Sequence, residues 1–419
     1  MPPEPKPLTE QPHIEISAGA LVMFERLLRR THLSGAADIA GIVAEEARSI
    51  GAEALVLYLV DYEQETLVPV PAPDAAGREP LAVQGTLAGR AYMATSIVGV
   101  DGEDGRGRRL WLPLLDGTER IGVMELALPE APDEAGITLC ERYAHLVAVL
   151  IVAKSAYSDV FEALRRRRPM TGASELLWTV TPPKVLASDA FVLGAMLEPP
   201  YDMGGDAFDY ALNGDTLHLG VFDAMGHGLA AAGVAAFALS TYRNSRRNGL
   251  GLAEIYAAID SAIAEQYPGS RFVTAVVAEL DVKSGRLGWI SAGHPPPLLL
   301  RRGRHVKTLD VEPAPPAGMR LATRAPVEAN ESLEPGDMVL LYTDGLTEAR
   351  RPDGELFTVE RLAEFITREA ASGQAAPETL RRLREAVIGR EEGSLRDDAT
   401  ALLVEWRRGS QRTLMPETV

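Results

Sequence analysis

Only one cysteine, Cys140, occurs in 419 residues, so no disulfide can form within the chain. That fits a reducing compartment and predicts a cytoplasmic protein. Positive charge is also scarce: 42 Lys and Arg face 59 Asp and Glu, leaving a formal charge of −17. Phosphates would be repelled, so neither nucleic acid nor a membrane is expected as a partner. The most apolar stretch, residues 144–153, contains His145 and is followed by Lys154. It falls short of the roughly 20 residues a bilayer crossing needs. The start, MPPEPKPLTEQPHIEIS, has no apolar core behind a basic head, and its prolines and charges predict a disordered arm over 1–17. HExxH, paired cysteines and histidine clusters are missing, which argues against zinc. GxSxG, catalytic-cysteine and Walker signatures are missing too.

What is present divides into two globular parts. The length suggests two or three domains at roughly 100–200 residues each, and the 46% hydrophobic content is that of a globular protein. Helical spacing in ALVMFERLLRRTHL predicts a lead-in helix within 18–35. A first domain over 36–152 begins with helical periodicity at Ile39–Ile50. Strand-like runs follow at Ala54–Asp61, Arg109–Leu115 and Arg120–Leu128. Helix, strands and a closing helix predict an α+β fold. Tyr143, Val147, Leu150, Lys154, Tyr157, Phe161 and Leu164 alternate spacings of four and three. The spacing predicts a connecting helix over 141–168 that either forms a dimeric coil or packs on its own domain. Pro169 ends it, and 169–187 is expected to be a linker.

The words GTLAGRAYMATSIV (Gly85–Val98) and ERIGVMEL (Glu119–Leu126) make the first part resemble a GAF domain. The resemblance implies ligand binding or dimerisation, names no ligand, and leaves open a packing module with none.

From 188 to 407 the pattern changes to many β-runs, with helical segments between Leu229 and Gln266 and between Val359 and Arg390. A tail over 408–419 follows. Aspartates end or flank the strands: Asp206 in MGGDAFDY, Asp223 in VFDAMGHG, Asp344 in YTDGLTE, Asp397 and Asp398 in RDDAT. Adjacent glycines permit sharp turns or close approach. A buried aspartate is costly unless paired or metal-bound, and no matching basic residues accompany these. A shared cation is the economical explanation, and carboxylates with a backbone carbonyl suit Mg²⁺ or Mn²⁺. His227 and His294 sit beside glycines in turn-like motifs, where a lone histidine is more often structural.

In order, GGDAFDY, VFDAMGHG, FVTAVVAELD, ISAGHPPPLLL, LLYTDGLTEAR and RDDATALLVEW closely resemble the SpoIIE-type branch of the metal-dependent serine/threonine phosphatases, the PPM superfamily. The resemblance implies an α-β-β-α sandwich with two Mn²⁺ or Mg²⁺ ions. It implies that Asp223 bridges both ions, the Ala224 carbonyl completes one site, Asp344 and Asp397 bind the second ion, and Asp206 acts directly or through water. Asp398 would support Asp397. Asp209, Gly226, His227 and Gly345 are further supporting candidates, with a surface strand residue as the alternative for Asp209. Two such ions neutralise phosphoryl oxygens and acidify water, so no protein nucleophile is needed. Departures from the family pattern are Ala207, Ala224-Met225, Thr358 and WTVTPP, and no arginine lies just before Gly204. None removes a carboxylate.

The expected function is therefore a protein phosphatase acting on phosphoserine or phosphothreonine and regulated by the GAF-like domain. Its implied partners are a STAS-type anti-anti-sigma factor as substrate and a second copy of the chain in a homodimer. An inactive ligand-binding scaffold and a small-molecule phosphoesterase are the alternatives.

Overall fold

A computed structural model describes residues 18–101, 107–301, 304–349, 355–388, 395 and 397–407. The expected arm over 1–17 and tail over 408–419 lie outside the described residues. The chain separates into two compact units, with the main division between Arg165 and Arg166.

The first unit runs α1 (Ala18–His32), α2 (Ile39–Ala47), β1 (Ala54–Val60), β2 (Thr66–Pro69), β3 (Leu81–Ala82), α3 (Leu87–Ala94), β4 (Val98–Asp101), β5 (Arg108–Asp116), β6 (Glu119–Leu128), α4 (Glu134–Ser155) and α5 (Val160–Arg165). Its six strands form one sheet in the order β3-β2-β1-β6-β5-β4. Alternation along β1 sends Leu55, Leu57 and Leu59 to the side of α2 and α4, and Val56, Tyr58 and Val60 to the side of α3. The Tyr143 hydroxyl of α4 donates to the Val43 carbonyl at 2.6 Å, fixing α4 against α2.

The helix expected over 141–168 is two helices. Residues 156–159 separate α4 from α5, and the Ser158 hydroxyl accepts from the Val160 N–H at 3.3 Å. Such local side-chain bonds compete with helix continuation. The seven-residue seam is thereby split: Tyr143, Val147 and Phe161 lie in the core of this unit, while Tyr157 is 89% exposed. Arg165 Nε donates to the Val60 carbonyl at 2.9 Å, fastening α5 to β1. At 22 residues, α4 is also long and apolar enough to cross a bilayer by length and composition, contrary to expectation. The helix continues through His145 and Lys154 instead of stopping near them, and its inward side joins the core.

The second unit runs α6 (Gly172–Val180), β7 (Val185–Ala187), β8 (Phe191–Glu198), β9 (Asp206–Asn213), β10 (Thr216–Ala224), α7 (Leu229–Arg247), α8 (Leu252–Gln266), β11 (Val273–Asp281), β12 (Arg286–Ala292), β13 (Leu298–Arg301), β14 (Arg304–Thr308), β15 (Ala329–Ser332), β16 (Met338–Tyr342), α9 (Asp344–Glu348), α10 (Val359–Ala371), α11 (Ala376–Ile388) and β17 (Ala399–Trp406). Two antiparallel sheets result, β15-β12-β11-β10-β9 and β14-β13-β16-β17-β8-β7. Helices α7 and α8 cover the first sheet, and α10 and α11 cover the second. Along β8, Phe191, Leu193, Ala195 and Leu197 join the core shared with the first sheet, whereas Val192 and Met196 join the core under α10 and α11. This is the mixed α/β architecture expected, with helices outside stacked sheets.

The expected linker over 169–187 carries α6 and β7. Thr171 caps α6 by accepting from the Ser174 N–H at 3.2 Å, Ala173 and Leu177 enter the core, and β7 pairs with β8. Pro182 and Pro183 fall between these elements, where neither interrupts a ladder.

Candidate metal centre

The strand register assembles the acidic motifs. Asp223, near the end of β10, lies opposite Asp206 on β9 and opposite Thr274 on β11. Cross-strand partners share a face, so Asp206 and Asp223 point to the same side of their sheet. In the other sheet β16 pairs with β17, and the Thr343 N–H donates to the Thr400 carbonyl at 3.0 Å just beyond Tyr342. That pairing brings Asp344, which opens α9, beside Asp397 and Asp398, which precede β17.

Asp398 joins the sheets. Its Oδ2 accepts from the N–H groups of Gly204, Gly205 and Asp206 at 2.6, 2.7 and 3.2 Å. Asp206 Oδ2 in turn accepts from the Thr343 and Thr400 hydroxyls, each at 2.7 Å. Glycines admit these approaches. A Cβ at Gly345 would collide with the Asp398 carbonyl oxygen, and one at Gly205 with the Ala224 carbonyl oxygen. Gly226 has φ +95°, in the left-handed region.

Burial and like charge act together here. Burial is the first cause raising the carboxyl of Asp206, followed by the charges of Asp398 and Asp223. Burial also leads for Asp223, pushed up to about 7, ahead of the charges of Asp344, Asp397 and Asp398; the Thr274 hydroxyl opposes the rise. Asp398 is raised by burial first, and Asp344, whose side chain is exposed on one side, by partial desolvation first; the exposed Asp397 adds to both.

Asp209 belongs to a different class. It is fully buried, not a surface strand residue, and three positions from Asp206 it faces the opposite side of the strand. Arg243 and Arg246 of α7 hold it, with Nη–Oδ distances of 2.6 and 2.8 Å. Among the described residues no Lys or Arg pairs with Asp206, Asp223, Asp344, Asp397 or Asp398. Asp209 thus has its cations supplied by α7, whereas the acidic cluster has none among the described residues. No three acidic, His or Cys side chains among the described residues converge tightly enough to form a finished ion cage. The hard-oxygen donor set nevertheless fits divalent cations, which would offset the mutual repulsion that raises these carboxyls.

The remaining candidates separate by burial. Ala224 is buried and its N–H donates to the Gly205 carbonyl at 3.0 Å, while His227 is exposed. His294 is buried and structural: Nε2 donates to the Tyr342 carbonyl at 3.0 Å, and Nδ1 lies 2.9 Å from the Thr274 hydroxyl. Burial lowers its imidazole to about 4. The sequence reading missed Thr274, Thr343 and Thr400. Their signal was adjacency, since Thr343 directly precedes Asp344 and Thr400 follows Asp398 by two.

A protein-family model, Stage II sporulation protein E (SpoIIE), matches residues 213–407. Residues 213–407 belong to the SpoIIE family. The SpoIIE domain, a PP2C-type phosphatase domain, contains Asp223, Ala224, Asp344, Asp397 and Asp398. Asp206 and Asp209 precede the matched residues but lie on β9, which pairs with β10 along its length. Protein IcfG of Synechocystis is 27% identical over 243 residues, 51% of this chain and 38% of the relative. Phosphoserine phosphatase RsbU of Bacillus subtilis is 22% identical over 235 residues, 55% of this chain and 68% of the relative. The solved RsbU and RsbW domains of a Mycobacterium tuberculosis protein align with 31% identity and a TM-score of 0.45, covering 52% of this chain and 60% of that one.

Proposed function

We propose that the chain is a cytoplasmic, divalent-metal-dependent phosphatase that removes phosphate from serine or threonine of a protein. The observation that carries the reading is the acidic cluster at one end of the two sheets, which no Lys or Arg among the described residues neutralises, with Asp223 pushed up to about 7. Two Mn²⁺ or Mg²⁺ ions would be held by Asp206, Asp223, Asp344, Asp397 and the Ala224 carbonyl, and when bound they would neutralise phosphoryl oxygens and acidify water. The chain's own part is to fix the ligands. Asp398 ties the Gly204–Asp206 backbone to the start of β17, and Thr343 and Thr400 hold one oxygen of Asp206. Losing a group that orients a metal ligand commonly costs about 10–100-fold in metal affinity or activity.

The name of the B. subtilis relative supports the phosphate ester of phosphoserine as the bond broken. The resemblance noted in the sequence favours a phosphorylated STAS-type anti-anti-sigma factor as substrate. The first unit is proposed as a GAF-like regulatory domain and as the dimerising part, where Val149 and Val152 of α4 are exposed. A panel of phosphorylated STAS proteins tests the substrate. Metal-dependent release of phosphate from at least one, at rates far above those on phosphoserine itself, is expected. Equal rates on free phosphoserine and every protein would refute a protein substrate.

A further inference from the structure

The first unit contains a cavity of about 150 Å³ where β4 separates from β5. β4 pairs with β5 only from Asp101 to Val98, opposite Trp111. Beyond that point residues 95–97 diverge, and α4 closes the space from the other side. Pro113 sits on β5 in this stretch and has no N–H to leave without a partner strand.

The divergence has a local cause. Thr95 ends α3 with φ +50°, in the left-handed region usually taken there by glycine. A β-branched residue in that conformation stores strain of a kind that collects at ligand sites. Its hydroxyl donates to the Ala94 carbonyl at 2.8 Å.

The lining has two parts. Leu112, Leu115, Ile97 and Ile137 are aliphatic, and Ala144 leaves room between them. At the polar side stand Glu141 and His145 of α4 and the exposed Ser96. Ile137, Glu141, Ala144 and His145 follow helical spacing, so α4 presents one stripe with an apolar and an acceptor end. A cavity of this size with aliphatic walls takes a single benzene ring. A carboxylate, an imidazole and a hydroxyl beside it favour a cationic donor over an anion, and the chain's charge of −17 acts in the same direction.

We propose that this cavity is a binding site for a small single-ring aromatic amine, with the ring against Leu112, Leu115 and Ile137 and the ammonium donating to Glu141. The site is independent of the phosphatase reading, so failure of one leaves the other standing.

The test uses the full chain and three probes of one shape, benzylamine, benzyl alcohol and benzoate, titrated by ligand-observed NMR. Benzylamine should bind with a Kd on the order of 1 mM, suitable for eight heavy atoms. Benzyl alcohol should bind about tenfold more weakly and benzoate more weakly still. Glu141→Gln should reduce benzylamine to the affinity of the alcohol and leave the alcohol unchanged. Ala144→Leu should remove binding of both by filling the space. Ser96→Trp, at an exposed position where folding is not at stake, should block access and give the same loss. Benzoate binding as tightly as benzylamine, no saturable binding by any probe, or unchanged binding in folded Ser96→Trp would each overturn the proposal.

Discussion

Replacing Asp223 by asparagine should make the metal-free protein more stable at alkaline pH. In the folded chain this carboxyl titrates near 7 instead of 3.8. The native state therefore binds more protons than the unfolded chain between about pH 4 and 7, and stability falls as pH rises through that window. Above it the full penalty is present. A displacement from 3.8 to about 7 corresponds to about 4 kcal/mol as a ceiling. Since the same charges raise its neighbours, about 2–4 kcal/mol is the expected gain on removing this one. For a unit of this size that raises its unfolding midpoint by about 5–10 °C. The assay is thermal unfolding by circular dichroism in chelator, wild type against Asp223→Asn, at pH 8 and pH 4. The gain should be present at pH 8 and vanish at pH 4. Adding Mn²⁺ at pH 8 should stabilise wild type and not the variant, because binding to the native state alone adds stability. A variant less stable than wild type at pH 8 without metal, or a difference indifferent to pH, would refute the reasoning.

Asp209→Asn should behave oppositely, costing about 3 kcal/mol because Arg246 remains buried without its partner; chemical denaturation measures it, and metal-dependent turnover should survive below the lowered midpoint. Thr400→Val removes one donor to Asp206 and should raise the Mn²⁺ concentration for half-maximal turnover by about tenfold, read from a metal titration. Gly345→Ala places a methyl against the Asp398 carbonyl; both turnover and the unfolding midpoint should drop, whereas Gly233→Ala, on α7 with open space at its Cβ position and no positive φ, should leave turnover intact.

Legibility in the sequence followed physical visibility. β1, β10, β11 and β17 were apparent because each is a long apolar or β-branched run, and they match Ala54–Val60, Thr216–Ala224, Val273–Asp281 and Ala399–Trp406. α7, α8, α10 and α11 were apparent by helical period. β9 was hidden because its start is the acidic motif itself, and β7 because Pro182 and Pro183 made its surroundings look like a linker. The continuous connecting helix failed because heptad spacing is blind to which side is already occupied: Phe161 and Tyr143 were apolar for the core of their own unit. Within the site, the aspartates announced themselves by type and glycine neighbours. Asp209 stood out only as a supporting candidate, and its burial and partners were not legible, since its two arginines lie 34 and 37 residues away on α7. Nor were the Thr343 and Thr400 bonds, which depend on two strands of one sheet meeting a third from the other.

Hydrolysis of p-nitrophenyl phosphate by chelator-treated full-length protein, with Mn²⁺ or Mg²⁺ then restored, tests the central claim most directly. The account predicts no turnover without metal, recovery on adding either ion, and loss of that recovery by orders of magnitude in Asp223→Asn. Full activity in the metal-free protein, or equal metal-dependent rates in wild type and Asp223→Asn, would contradict it.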